Sequence, residues 1–167
     1  MRACNFLVIA LTLALAALGI ASAHAEGPQA KDLNAVQACL KSKPQTTAGQ
    51  ERCIDVVAKP CIGDEGARAP SEVIACLDRE QLVWDQLLNA AYRKLQNSLA
   101  DDQREKLRDM QRSWLQSREQ TCEFYYHYFQ GTMAKPMIAN CENRETARRA
   151  IFLVGFADDL PKDEKGK

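Results

Sequence analysis

The chain has 167 residues, with 22 Lys+Arg against 22 Asp+Glu and a formal charge of zero. Opposite signs sit side by side, as in Arg104-Glu105-Lys106 and Arg144-Glu145, the mark of solvated helix faces and not of the one-sided Lys/Arg concentration of a nucleic-acid binder. The length suits one ordinary domain with a modest core.

At the start, Arg2 is followed by an apolar run from Phe6 to Ile20 and then by Ala21-Ser22-Ala23-His24-Ala25. One early cation, a short apolar stretch and an A-x-A site are what secretion machinery reads, and the run is too short for a stable membrane span. Residues 1–25 are therefore expected to be a signal peptide, cleaved after Ala23 or Ala25. Its removal leaves no stable membrane anchor and a charge of 21 minus 22, or −1. Cys4 lies in the head of this segment and no cysteine falls within Ala21 to Ala25, so a lipid-modified cysteine is not expected. The expected location is periplasmic or secreted.

Of the seven cysteines, loss of Cys4 leaves Cys39, Cys53, Cys61, Cys76, Cys122 and Cys141. An even set in an exported chain reads as disulfides. Fifteen pairings are possible and the sequence does not choose among them; the local set is 39 with 53, 61 with 76, and 122 with 141. Each local bridge closes a loop of roughly 14 to 19 residues and contributes on the order of 3 kcal/mol in the chain-entropy picture. With no C-x-x-C and only two histidines, one at the cleavage site, no metal, redox centre or cofactor is expected.

From Pro28 to Pro70 the sequence predicts short pieces: a helix over Asp32 to Lys41, a turn over Pro44 to Gly49, a second helix over Gln50 to Ala58, and a loop over Gly63 to Pro70. Beyond Ser71 the pattern strengthens. Ile74, Leu77, Trp84, Leu88, Ala91, Leu95 and Leu99 recur by three, four or seven and predict one long amphipathic helix, about 71–99. Asp102 with Glu105 reads as a capping-box start for a second, about 102–129, whose stripe is Leu107, Met110, Trp114, Cys122, Tyr125 and Phe129. The short break between them implies an antiparallel hairpin. Gly131 and Pro136 mark a turn, and a third helix is expected over about 142–157. The class is all-α, a small disulfide-bonded helical bundle with a short N-terminal helical pair.

Trp114, Arg118 and Cys122 stand four residues apart on one helix face. Trp114 is expected to fill the hairpin core, with Arg118 over an aromatic ring or paired with a carboxylate such as Asp85. Asn89 either faces solvent or hydrogen-bonds to a neighbouring helix, while Tyr92 packs its ring and leaves its hydroxyl wet. Glu80 and Asp85 are five residues apart and point in different directions, which disfavours them as a general acid and base. The run Phe124-Tyr125-Tyr126-His127-Tyr128-Phe129 covers most of a helix circumference. Either it is a patch for a protein partner, or the N-terminal segment and the third helix cover it.

The combination Cys76-Leu77-Asp78, Trp84-Asp85, Leu88-Asn89, Tyr92, Gln111, Trp114, Arg118, Cys122, Cys141, Thr146 and Arg149 resembles the LprI-like family, from Cys61 to about Leu153. The resemblance implies a helical, disulfide-bonded extracytoplasmic module, and, for the founding member, inhibition of lysozyme. With the expected signal peptide 1–25, the chain then divides into a helical, disulfide-tied extension 26–62, an LprI-like domain 63–160 and a charged tail 161–167. This chain departs from the founding lipoprotein in lacking a lipid-attachment cysteine and in adding the Cys39 and Cys53 segment.

The function expected is therefore non-enzymatic: contact with a protein partner, a lysozyme-type muramidase, without nucleic acid. The candidate contacts are the aromatics Phe124, Tyr125, Tyr126, Tyr128 and Phe129, together with Thr132 and Lys135 on a loop from Gln130 to Asn140. The alternative is a structural or assembly factor of the cell envelope with no enzymatic target. The sequence leaves the oligomeric state open.

Overall fold

The structure is a computed structural model that describes residues 28–64, 68–129 and 131–161; the expected signal peptide lies outside them. In chain order come α1 (Ala30–Ser42), α2 (Thr47–Gln50), a 3-10 turn (Glu51–Cys53), α3 (Ala58–Ile62), α4 (Pro70–Ser98), α5 (Asp101–Tyr128), a second 3-10 turn (Gly131–Met133) and α6 (Ala134–Asp158). The described residues form an all-α bundle, and none of their helices is long and apolar enough to cross a membrane.

Pro70 opens α4 at its first position, where the missing N–H costs nothing. Glu72 Oε2 accepts from the Ala69 amide at 2.9 Å, closing half of a capping box; alanine has no side-chain acceptor for the other half. One face of α4 is buried through Cys76, Leu77, Glu80, Val83, Trp84, Leu88, Ala91 and Leu95, which follows the apolar stripe of the sequence with Ile74 and Leu99 at its half-buried ends.

The turn into α5 is only Leu99-Ala100. Arg104 donates to the Leu99 carbonyl at 2.7 Å and Gln103 accepts from the Ala100 amide at 3.1 Å. The cap is thus built on Ala100 and Gln103, and not on the Asp102 and Glu105 pair expected. Both aspartates fall in the first turn, where they suit the positive end of the dipole.

α6 begins at Ala134, about two turns before its expected start. Pro136 is its third residue, a first-turn position with no intrahelical acceptor to lose, so it starts the helix instead of preventing it. Ala139, Ala147, Ala150 and Ala157 are buried along it and let the neighbouring helices approach closely. α6 consequently makes the main packing with both α4 and α5, while those two touch each other much less. The hairpin of the sequence reading is present as a chain path, with α6 packed along both of its arms.

The second N-terminal helix expected over Gln50 to Ala58 is broken. Asp55 takes the left-handed conformation at φ 77°, and the amides of Asp55, Val57 and Ala58 turn to the Glu80 carboxylate, each at 2.7 Å. Val36, Cys53, Ile54 and Val57 from this region join Trp84, Leu88, Ile151 and Leu153 in one core. Disulfides connect Cys39 with Cys53, Cys61 with Cys76, and Cys122 with Cys141.

Candidate functional site

Because α4 and α5 splay apart, a groove of about 350 Å³ opens between them, lined by Asp85, Leu88, Asn89 and Tyr92 from α4 and by Arg108, Gln111, Arg112, Trp114, Leu115 and Arg118 from α5. Both sets follow helical spacing, so each helix presents one face to the groove. Asp85, Asn89, Tyr92, Gln111, Trp114 and Arg118, singled out in the sequence, are brought together here.

The remaining members of that set support the groove from behind. Arg118 lies 5.0 Å from the centre of the Trp114 ring and donates to Thr146 Oγ1 at 2.9 Å. Arg149 lies 5.5 Å from the same ring and 5.3 Å from that of Phe152, and its Nε donates to Gln111 Oε1 at 2.8 Å. Burial pushes the Arg149 pKa below its ordinary value. Arg118 thus takes the aromatic option and makes no ion pair with Asp85, which instead accepts from Asn89 Nδ2 at 2.9 Å. Trp114 is half-buried, packed on the edge of the core and against Arg118 and Arg149, while Trp84, at 0% exposure, lies fully inside it.

Glu80, weighed in the sequence only as an acid or base, is fully buried. Besides the three amides it accepts from Trp84 Nε1 at 2.9 Å and lies 3.4 Å from Asn143 Nδ2. Its oxygens are committed to holding the N-terminal segment on α4, and its signal in the sequence is one acidic residue inside an apolar stripe. Asp32 and Arg79 were missed in the sequence; 47 positions apart, they meet through two bonds of 2.5 Å.

The end of α5 carries a second surface. Phe124, Tyr126 and Tyr128 are 60%, 62% and 69% exposed, and Met133 in the following 3-10 turn is 56%. Tyr125 and Phe129 are half-buried and stack in parallel at 5.8 Å, while Phe124 meets Tyr128 at 6.0 Å. The rings therefore brace one another instead of entering the core. The expected loop from Gln130 to Asn140 is cut short: Thr132 lies in the 3-10 turn and Lys135 in the first turn of α6, both exposed. The Cys122–Cys141 bridge, with Cα atoms 5.5 Å apart, ties this end of α5 to α6.

At the opposite end of α5, an apolar groove of about 660 Å³ runs between it and α6 past Leu107, Met110, Phe152, Phe156 and Leu160. Among the described residues no cluster of three or more His, Cys, Asp or Glu has the arrangement of a metal site.

Among solved structures the chain is similar to the crystal structure of an uncharacterized protein from Burkholderia thailandensis, at 27% identity and a TM-score of 0.53. The match covers 66% of this chain and 56% of that one, so the chain spans little more than half the length of that relative. No curated protein matches it. The family model described as lysozyme inhibitor LprI matches residues 61–153, a stretch that contains α4, α5 and most of α6 with the whole groove between them. The chain belongs to the LprI lysozyme inhibitor family.

Proposed function

We propose that this protein is an extracytoplasmic inhibitor that blocks a lysozyme-type muramidase by direct contact and performs no chemistry of its own. The observation that carries the reading is the exposed aromatic end of α5, held to α6 by a disulfide. Large rings fixed before binding lose little freedom on association and are the side chains that dominate contact energies. Thr132 and Lys135, exposed in the turn and the helix start that follow α5, supply polar and cationic contacts at the edge. The signal-like start and the paired cysteines support the periplasm or the exterior as the working compartment. In this reading 26–62 is a stabilising extension and 63–160 the family domain.

Mixing the purified processed chain with c-type, g-type and i-type lysozymes and following cell-wall lysis tests the proposal. Slowing of at least one class at micromolar inhibitor is expected. The double variant Tyr126→Ser, Tyr128→Ser should weaken that inhibition by roughly 30-fold, equivalent to about 2 kcal/mol, while an exposed-surface change of this kind moves stability by about 0.5 kcal/mol or less. Full lysis with all three classes removes the proposal.

A second reading, an assembly factor of the cell envelope, is favoured by the apolar groove of Met110, Phe152 and Phe156. It predicts a periplasmic partner that is lost on Phe156→Ser and retained on Tyr126→Ser, Tyr128→Ser.

A further inference from the structure

The groove between α4 and α5 holds more positive charge than its walls neutralise. Arg108, Arg112 and Arg118 line it against one carboxylate, Asp85, in a chain whose formal charge is zero. Arg112 is held by Asp109 at 2.5 Å. Arg108 has no ion pair among the described residues, and Arg118 commits one N–H to Thr146, leaving the rest of its fork unused. Asp85 bonds Asn89 and pairs with none of the three cations.

A second observation points the same way. Arg149, one layer behind the groove through Gln111 and Trp114, has its Nη2 buried without a hydrogen-bond partner among the described residues, and no carboxylate is paired with it. Its half-buried guanidinium, stacked against Trp114 and Phe152, adds a further positive charge behind the groove that no carboxylate offsets.

The rest of the lining fits an organic body. Leu88, Trp114 and Leu115 form an apolar floor, with the amides of Asn89 and Gln111 and the Tyr92 hydroxyl at its sides. A volume of about 350 Å³ is at the small end of ligand sites, which suits one sugar ring or two amino-acid residues.

We propose that this groove binds a small organic carboxylate, with the free N–H groups of Arg118 taking the carboxylate, Arg108 and Arg112 adding positive potential further along α5, and the ligand body lying on Leu88, Trp114 and Leu115. Guanidinium forks match a carboxylate in geometry as well as charge. Two sources share that chemistry, an acidic N-acetylated sugar and the C-terminus of a short peptide. The site is separate from the aromatic end of α5, so it stands whether or not the protein inhibits a lysozyme.

The test uses tryptophan emission, because Trp84 is buried away from solvent and Trp114 faces the groove. The whole processed chain is titrated with N-acetylmuramic acid and with N-acetyl-alanyl-alanine, each beside its uncharged counterpart, N-acetylglucosamine and N-acetyl-alanyl-alaninamide. One acid should give a saturable change with Kd of about 1 mM or tighter, and which acid does so identifies the source. Its uncharged counterpart should give none. Arg118→Gln, whose amide can still donate to Thr146, should weaken binding roughly tenfold by removing a charged contact, and Arg93→Gln, exposed on α4 outside the groove, should leave it unchanged. Calorimetry on the Trp114→Phe variant, which keeps an aromatic floor, should retain the heat of binding. Failure of both acids to bind, equal binding of the uncharged counterparts, or an Arg118→Gln variant that binds as well as the parent overturns the proposal.

Discussion

Glu80 places a carboxylate where no water reaches it and surrounds it with N–H donors from two parts of the chain: the amides of Asp55, Val57 and Ala58, and the Trp84 indole. Glu80→Gln replaces one acceptor oxygen by an NH₂ group that faces those donors. A buried donor left unmatched costs about 1–3 kcal/mol, so a loss of about 3 kcal/mol is expected, measured as a shift of the urea midpoint at unchanged slope. Asp32 offers a separate check. The Arg79 hydrogen bonds hold its carboxyl below the ordinary aspartate value of 3.8. A depressed folded pKa contributes stability that is full above the unfolded value and lost as pH falls through the folded one. Asp32→Asn should therefore lower stability at neutral pH and flatten the fall below pH ~4. Asp55 acts in the opposite sense. Its burial raises its pKa, so its ionisation opposes folding at neutral pH and that opposition is relieved on acidification. Gly49 needs no titration to matter: a Cβ there would collide with the Pro44 carbonyl and crowd Thr46, so Gly49→Ala should lower stability by about 1–3 kcal/mol.

Among the long helices, α5 is the one held least by burial: only Leu107 and Cys122 along it are fully buried. What fixes its later half is the bridge to Cys141 together with Arg118 to Thr146, while Arg149 to Gln111 ties down its middle. Replacing Cys122 and Cys141 by alanine should cost on the order of 3 kcal/mol for a loop of this length. Hydrogen exchange should then quicken along Leu115 to Tyr128 while α4 and α6 keep their protection. The long helices were legible because their stripes extend over many turns; α4 in particular buries nearly the residues its spacing marks. The start of α6 was not, because Pro136 carries the same letter whether it ends one helix or opens another. Nor was the break at Asp55, since its cause, Glu80, is 25 positions away. The groove was half legible: the motif residues named its walls, but Arg108 and Arg112 read as ordinary surface charge until the helix faces were known.

Across the whole molecule, the division into an extension and a family domain does not coincide with a division of the core. Val36, Cys53, Ile54 and Val57 pack in the same cluster as Trp84, Leu88, Ile151 and Leu153. A chain trimmed to begin at residue 63 is expected to lose the cooperative transition of the parent, to expose Trp84 to quenchers and to bind a hydrophobic dye, read by fluorescence during denaturation. A trimmed chain that melts in one sharp step near the parent temperature would show that the family region stands alone. The match to the family begins at residue 61, yet the acid within it is satisfied by amides that precede it. A minimal version grafted into another scaffold would therefore inherit an orphan anion at its centre unless residues 55–58 travel with it, or a leucine or methionine is substituted for the glutamate.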